Sequence, residues 1–333
     1  MSITINDIAK ELNLSKTTIS FVLSGIGTEK GVNAKTQERV LSYIKSINYQ
    51  PNQLARSLVR GVTNTIGILV PSIGDSFYAK LLKEIEREAE KKGYIIIISS
   101  SERMPEREIK LIRAMRAKQV DGFIIAPTEH LRKKMENLLD DHVPFVLIDR
   151  FYPEINTNYV VINDVNTLFR LVRNLIDKGR KRIAFITVDA KISALTNRLT
   201  GYKSALDSAG IPFDPALYCE VPRNDYHIHI EGILEKLFKE NPDVDALCFT
   251  THYLASEAVM YMYKKGINIA SYGLATIHTN PIVELLSPKM TVARIPLEVI
   301  GRNAVDILIG DMKTGGKAPK TGCIVSAEIS IND

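Results

Sequence analysis

With 333 residues, the chain is longer than one ordinary core of about 100 to 200 residues, so its length predicts two or three domains. Its composition, 45% hydrophobic and 24% charged, argues against a disordered or low-complexity polymer. No apolar run approaches the roughly 18 residues that span a bilayer, and Asp7, Lys10 and Glu11 interrupt the opening where a signal peptide needs an apolar stretch. We therefore expect a cytoplasmic protein without a membrane partner. Its three cysteines cannot all pair, none lies in a CxxC motif and Cys248 lies in the apolar run ALCFT, so we expect reduced, mostly buried thiols.

Positive charge is concentrated at the start of the chain. Residues 1–61 hold eight Lys or Arg against four Asp or Glu, so +4 of the net charge of +5 lies there. The apolar spacing in this segment predicts three short helices, with Thr4, Ser15 and Asn33 as their N-caps. The first two helices are expected to meet at a tight turn. The third is expected to be buried through four apolar residues, Val40, Leu41, Ile44 and Ile47.

Three small helices with a basic surface are typical of a helix-turn-helix module. The second helix carries polar residues on its outer face, and Phe21 is predicted to be exposed among them, where it could contact a thymine methyl group. The alternative is a plain three-helix subdomain with solvated lysines. Residues 51–61 begin with proline and end with glycine, which predicts a short helix between domains, and the alternative there is a flexible linker.

From residue 62 onward, short apolar runs alternate with amphipathic stretches. Runs such as IGILV, FVLID, RIAFIT and ALCFT predict buried parallel strands covered by helices on both faces. Their number favours two sheets, and hence two lobes with a cleft between them. Ligands of open α/β sheets bind outside the carboxyl ends of the strands, so this cleft is the expected ligand site.

Three long stretches of the chain are TINDIAKELNLSKTTISFVLSG, RVLSYIKSINYQPNQLARSL and NTIGILVPSIGDSFYAKLLKEIE. Together they resemble the lactose-repressor (LacI/GalR) family of bacterial transcription regulators. The resemblance implies an α/β fold, with an N-terminal lambda-repressor-like helix-turn-helix domain and a two-lobed periplasmic-binding-protein-like domain containing two parallel sheets. It further implies three crossings between the lobes, near residues 160–163, 291–295 and 323–326.

The domain boundaries that follow are a DNA-binding domain at 1–50, a hinge helix at 51–61 and an effector-binding and dimerisation domain at 62–333. We expect the N-lobe to take in about 62–161 and 293–324. The C-lobe is expected at about 162–292 and 325–333.

The same resemblance implies roles in DNA binding. The base-reading positions are Lys16, Thr17, Ser20 and Phe21. The expected phosphate contacts are Thr4, Ser15, Thr18 and Asn33. Further DNA-contacting positions are Tyr49, Asn52, Arg56 and Leu58, of which Leu58 would wedge between base pairs in the minor groove. Phe21 stands where the family usually has arginine, and the loop at residues 26–32 is longer than usual.

For the effector, the resemblance and the strand ends together indicate seven residues: Phe77, Asp149, Arg198, Tyr226, Thr251, His252 and Arg294. Structural readings compete with these roles: simple packing for Phe77, a cap for Asp149, a surface salt bridge for Arg198 and an ordinary exposed tyrosine for Tyr226. Where relatives carry acidic residues that bind hydroxyls, this chain has Thr251 and His252, and Leu274 and Ala275. A polyhydroxylated sugar would therefore leave polar groups unpaired, each at a cost of about 1 to 3 kcal/mol. The replacement of the family's acidic residues at these positions favours an acidic or phosphorylated metabolite as the ligand, or a protein that no longer senses a ligand.

No catalytic constellation is present in the sequence. HExxH, GxSxG and a strand followed by GxGxxG are absent, and GGKAP at 315–319 fails as a phosphate loop. His227 and His229 are expected on one face of a strand as exposed polar residues, without metal or cofactor.

We therefore expect a sequence-specific transcriptional regulator of the repressor type and not an enzyme. It would bind a pseudo-palindromic operator in double-stranded DNA as a homodimer or tetramer, under control of a sugar-like or anionic effector. The alternatives are a regulator without ligand control, a solute-binding protein and a small-molecule enzyme. The identity of the effector, the operator sequence and the sign of the response do not follow from the sequence.

Overall fold

The computed structural model describes residues 4–49 and 62–330. The chain divides into two compact units at Thr63, and each unit is described by itself. The predicted hinge helix at 51–61, with Asn52, Arg56 and Leu58, lies outside the described residues.

The first unit consists of three helices, α1 (Ile5–Glu11), α2 (Lys16–Leu23) and α3 (Ala34–Ser46). Its small core is closed by residues from all three helices, among them Ile8, Ile19 and Val40, each fully buried. The expected burial of Leu41 is wrong, because this side chain is 53% exposed. Leu41 follows Val40 by one residue, and a helix turns about 100° at each step, so the two side chains face different sides.

The second unit contains two sheets of six strands. The first sheet is parallel throughout, in the order β2, β1, β3, β4, β5, β11. Its strands are β1 (Thr65–Val70), β2 (Ile95–Ser100), β3 (Gly122–Ile125), β4 (Phe145–Ile148), β5 (Asn158–Ile162) and β11 (Gly322–Val325). The helices that follow these strands or pack on them are α4 (Ser76–Lys91), α5 (Pro105–Ala117), α6 (Arg132–Asp140) and α12 (Leu297–Lys313). This sheet and its helices are called the first lobe.

The second sheet has the order β7, β6, β8, β9, β10, β12, and only the pair of β10 and β12 is antiparallel. Its strands are β6 (Ile183–Val188), β7 (Tyr218–Val221), β8 (Ala246–Phe249), β9 (Gly273–Ile277), β10 (Thr291–Arg294) and β12 (Glu328–Ser330). The accompanying helices are α7 (Asp164–Asp177), α8 (Ser193–Ser208), α9 (Tyr226–Glu240), α10 (His252–Lys264) and α11 (Pro281–Leu286). Together they form the second lobe. The predicted α/β class with two parallel-dominated sheets is confirmed.

The chain passes between the lobes after β5, after β10 and after β11. Residues 293 and 294, expected in the N-lobe, instead lie in β10, where Ala293 pairs with Ile277. Ile162 and Val325, expected in the C-lobe, pair with each other in the first sheet. The differences of one or two residues arise because strand pairing continues to the point of crossing.

Helices α7 and α8 of the second lobe pack closely against each other. Gly201 of α8 allows this approach, since a Cβ there would lie 2.2 Å from the carbonyl oxygen of Val165. Nearby, Tyr202 is 1% exposed, and its hydroxyl donates to the carbonyl oxygen of Ile183 at 2.8 Å. The contact fixes α8, which carries Arg198 one turn earlier.

His227 and His229 do not lie on a strand, and that expectation is wrong. Both belong to the first turn of α9 and are exposed. Ile230, Leu234 and Leu237 of this helix are buried at the i, i+4, i+7 spacing, which fixes its orientation. In the described ranges, no His, Cys, Asp and Glu side chains are grouped to hold a metal ion, and no helix has the length and apolar character that crossing a bilayer requires.

Candidate functional site

Each helix of the first unit begins with a side-chain cap. Thr4 forms a capping box with Asp7, the Ser15 hydroxyl accepts from the backbone N–H of Thr18 at 3.0 Å, and the Asn33 side chain accepts from Thr36 at 2.8 Å. Capped N-termini keep further N–H groups available for a phosphate. At α1, however, the hydroxyl of Thr4 donates to the Asp7 carboxylate at 2.6 Å, and this bond lowers the Asp7 pKa. The Ser15 and Asn33 ends are therefore better suited to an anion than the Thr4 end.

The face of α2 turned away from the core is polar. Lys16, Thr17 and Ser20 are exposed, while Thr18 and Phe21 are half-buried. Phe21, expected to be exposed, is instead half-buried, so only part of this residue is accessible to a partner. Such a face presents hydrogen-bonding groups and a limited apolar contact on one rigid helix.

Two residues that the sequence analysis did not select hold this unit in shape. The Arg39 guanidinium donates to the carbonyl oxygen of Leu12 at 2.5 Å and thus ties α3 to the end of α1. The Gln37 side chain donates to the hydroxyl of Thr28 at 3.2 Å and to the carbonyl oxygen of Val32 at 2.7 Å. The long loop at residues 26–32 is therefore fixed against α3. The signal for both is a long polar side chain on a helix, with the reach to donate to a backbone carbonyl group of a neighbouring segment.

A cavity of about 80 Å³ lies between the two lobes at the carboxyl ends of their strands. It brings together five of the seven residues expected at the effector site, Phe77, Asp149, Arg198, Thr251 and His252. The two others lie outside its wall. Tyr226 packs against Tyr253, which does line the cavity, with ring centroids 4.6 Å apart. Arg294 has a half-exposed side chain and forms an ion pair with Glu284 at 3.4 Å.

Asp149 belongs to a buried network in the first-lobe wall. Its carboxylate accepts a hydrogen bond from the Tyr78 hydroxyl at 2.7 Å and lies 3.3 Å from Nε of Arg150. Arg150 also donates through Nη2 to the Tyr78 hydroxyl at 3.0 Å. Burial raises the pKa of Tyr78, so its phenol stays protonated and remains a donor. The backbone at Asp149 has a φ of 66°, a left-handed conformation that turns the chain sharply at the end of β4.

Arg198 is held in the second-lobe wall by groups behind the cavity. Its Nε donates to the Asp164 carboxylate at 2.7 Å, and its Nη1 donates to the carbonyl oxygen of Thr250 at 2.7 Å. Burial raises the pKa of Asp164 to about 6, although the charge of Arg198 acts in the opposite direction. The ion pair joins the start of α7 to α8, so Arg198 has a structural role as well as a position at the cavity.

Polar contacts connect the lobes across the cleft. Nε2 of His252 lies 3.3 Å from the Ser76 hydroxyl and 3.5 Å from the Asp75 carboxylate, and both of these residues lie at the start of α4. At another point, Arg223 forms an ion pair with Glu129 at 3.1 Å. Burial lowers the pKa of His252, an effect that Asp75 partly offsets. The described conformation is therefore one in which the lobes touch through their side chains.

Three polar atoms of the cavity wall are buried without a partner among the described residues. They are Nη1 of Arg150, Oγ1 of Thr251 and Nε2 of His278. Burial and the neighbouring His252 lower the pKa of His278 to about 3, so its imidazole is neutral. An unpaired buried polar atom is costly, and three in one cavity indicate a place where a ligand completes the hydrogen bonding.

Family models match almost the whole chain. Residues 4–52 match the model described as "Bacterial regulatory proteins, lacI family", and residues 63–324 match "Periplasmic binding proteins and sugar binding domain of LacI family". The chain belongs to the LacI family.

LacI-family relatives cover nearly its full length. Catabolite control protein A of Priestia megaterium is 30% identical over 311 residues, which is 92% of each chain. The HTH-type transcriptional regulator DegA of Bacillus subtilis is 27% identical and covers 90% of this chain and 89% of its own. Among solved structures, the Lac repressor bound to ONPG has a TM-score of 0.84 at 20% identity, covering 99% of this chain and 98% of the other. These relatives are transcriptional regulators, and this protein is a regulator of the same family, not an enzyme.

In this LacI-family member, sequence analysis missed several residues of the cavity. The main ones are Tyr78, Arg103, Arg150, Arg223 and His278. Arg150 and His278 each lie one or two residues beyond a strand, at the edge of the sheet where ligands bind. A systematic search of the positions after each strand would have found them.

Proposed function

We propose that this LacI-family regulator binds a pseudo-palindromic operator as a homodimer, with α2 in the major groove, and that a small molecule in the cleft cavity controls its affinity for DNA. The outer face of α2 supports the proposed binding of DNA. Lys16, Thr17 and Ser20 are exposed there, on a helix packed rigidly against α1 and α3. Phe21 adds an apolar contact with which the protein can distinguish thymine.

The expected phosphate contacts fit the N-termini of the helices. Ser15 and Asn33 place the starts of α2 and α3 at the surface, and their caps leave backbone N–H groups available. Tyr49, Asn52, Arg56 and Leu58 remain proposed contacts from the segment that follows α3.

A second copy of the chain is the proposed partner of the second unit. Strand β2 is an edge strand of the first sheet, and its Ile95 and Ile98 are 61% and 38% exposed. In α11, Ile282 and Leu285 are 49% and 79% exposed. Apolar side chains in these positions favour association, and a two-fold dimer presents two copies of α2 to two half-sites.

Control by a ligand is favoured over a regulator that has lost sensing. The lobes meet through side chains that can separate, and the cavity wall holds buried polar atoms without partners. A ligand that binds one arrangement of the lobes better than another changes the DNA affinity by the same free energy, and a coupling of about 1 to 3 kcal/mol gives a useful switch.

The test is selection of bound sequences from random duplex DNA by the purified full-length protein, with its mass in solution measured in parallel. We expect a dimer of the 37.2 kDa chain and an enriched site with two inverted half-sites. Lys16→Ala should weaken binding to that site by about 1 to 3 kcal/mol. Lys45→Ala, which removes an exposed cation at the end of α3, is the matched control and should cost much less. A monomer, or a protein without preference for any duplex over random competitor, would refute the proposal.

A further inference from the structure

The walls of the cleft cavity combine hydrogen-bond donors with two carboxylates that already accept hydrogen bonds from the protein. Oδ2 of Asp149 accepts from Tyr78 and Arg150, and Oδ1 of Asp75 accepts from the backbone N–H of Phe77 at 2.8 Å. Arg150, in contrast, is 6% exposed, and its Nη1 has no partner in the described part of the chain. A ligand in this cavity must therefore supply the acceptor.

Two helices begin at the cavity without a side-chain cap. Helix α8 starts after Ile192, whose side chain cannot accept a hydrogen bond, and α10 starts after Thr251, whose Oγ1 is buried and unpaired. Both residues line the cavity. Helices α5, α6, α9 and α12 also begin without a side-chain cap, but the residues before them do not line this cavity. The uncapped ends of α8 and α10 add N–H donors and partial positive charge to the same wall.

Two further cations border this space. Burial lowers the pKa of Arg223, and the positive charge of the nearby Arg150 lowers it further. Arg103 lines the cavity and makes no ion pair with any described residue. Negative charge between these groups would pair with them and relieve their repulsion.

We propose that the effector is a small organic anion whose carboxylate or phosphate group lies at the uncapped start of α10 and accepts a hydrogen bond from Nη1 of Arg150. This inference rests on the proposed function only in taking the cavity as the effector site. A neutral polyol fits less well, since it brings no negative charge to pair with Arg103, Arg150 and Arg223 at the cavity wall.

Calorimetry with the full-length protein and matched pairs of compounds tests the ligand class. The pairs are glucose with glucose 6-phosphate, fructose with fructose 1-phosphate and glucose with gluconate, and inorganic phosphate and citrate are measured alone. We expect at least one anion to bind at least ten-fold more tightly than its neutral comparison compound. For citrate and phosphate, the comparison is with all of the neutral sugars. The affinity for that anion should fall as the salt concentration rises. The pairs also show whether the charged group is phosphate or carboxylate. The proposal is overturned if no anion binds, or if the neutral sugars bind as tightly as the anions.

A pair of variants tests the position of the charge. Thr251→Asn and Thr251→Asp both introduce a strong cap for α10, but only aspartate places a negative charge in the proposed anion site. We expect both to raise the melting temperature of the ligand-free protein and only Thr251→Asp to lower anion affinity ten-fold or more relative to Thr251→Asn. Lys133→Gln removes a cation that is 86% exposed and serves as the charge control.

Equal anion affinity of the two Thr251 variants would overturn the proposal. Operator binding by the ligand-free wild-type protein is measured separately. Its failure would refute the DNA-binding function and leave the result on the ligand class unaffected.

Discussion

The replacement Glu108→Gln should change how the stability of the second unit depends on pH. Glu108 of α5 is fully buried, its Oε2 accepts from the backbone N–H of Thr128 at 3.0 Å, and its Oε1 has no partner among the described residues. Burial raises the pKa of this carboxyl to about 7 from its ordinary value of 4.5, although Thr128 and Arg150 act in the opposite direction. The folded protein therefore holds the proton more tightly than the unfolded chain.

The sign and size of the effect follow from that difference. Because the folded pKa is the higher one, stability is greatest below about 4.5 and is lost as the pH rises through the window from 4.5 to about 7. At 1.36 kcal/mol per pKa unit, the loss is about 3 kcal/mol. Glutamine keeps the acceptor for Thr128 and cannot ionise, but its amide needs partners of its own at about 1 to 3 kcal/mol. We expect the variant to be the more stable protein at pH 8 and the less stable at pH 5.

Thermal unfolding of both full-length proteins between pH 5 and pH 8 measures this change. About 2.5 kcal/mol of this loss falls between pH 5 and pH 8. At about 2 °C per kcal/mol for a unit of this size, the difference in melting temperature should change by about 5 °C and reverse its sign. Glu106→Gln alters an exposed carboxyl on the same helix and should show no such reversal. A difference between Glu108→Gln and wild type that stays constant across this range would refute the reasoning.

Three further substitutions test local packing and capping. Gly201→Ala should destabilise the second unit by about 3 kcal/mol in urea unfolding, because the new Cβ would lie 2.2 Å from the carbonyl oxygen of Val165. Gly232→Ala, in a helix position with no atom within 4 Å of the new Cβ, should instead stabilise by about 1 kcal/mol, and equal effects of the two changes would contradict the packing argument. Ser15→Ala removes the acceptor for Thr18 and should cost about 1 kcal/mol, seen as roughly five-fold faster amide exchange in α2 of the full chain; unchanged exchange there would argue against a capping role.

Local chemistry explains what the sequence could predict. The caps Thr4, Ser15 and Asn33 are as expected, because a cap depends on a polar residue and the N–H groups two or three positions away. The strands that coincide with continuous apolar runs, such as IGILV, FVLID, RIAFIT and ALCFT, were equally clear, since such runs bounded by helices have few other structures available to them. The crossings between the lobes were placed within a few residues by the family resemblance, and no local pattern indicates them.

Failures arose where neighbours distant in the sequence decide. Leu41 has an apolar side chain like that of a core residue, yet α1 and α2 cover only the sides of α3 that carry Val40 and Ile44. His227 and His229 alternate with Ile228 and Ile230, as polar and apolar residues do in a strand. The structure instead buries Ile230 together with Leu234 and Leu237, which share one face of a helix.

At the cavity, the role of Arg150 depends on Tyr78, which lies 72 residues away in the sequence. The free Nη1 that results is not visible in any local pattern. The same holds for His278, whose neighbours His252 and Phe77 come from other elements.

Three short backbone segments join the lobes. One residue separates β5 from α7, two residues separate β10 from α12, and two residues separate β11 from β12. Segments of this length leave no slack for one lobe to slide past the other, so the available motion is a rotation about an axis through the three joints. In such a rotation, the displacement of an atom grows with its distance from the axis. A small change of angle at the ligand is then enlarged at the outer ends of both lobes, while the core of each lobe moves as a rigid body.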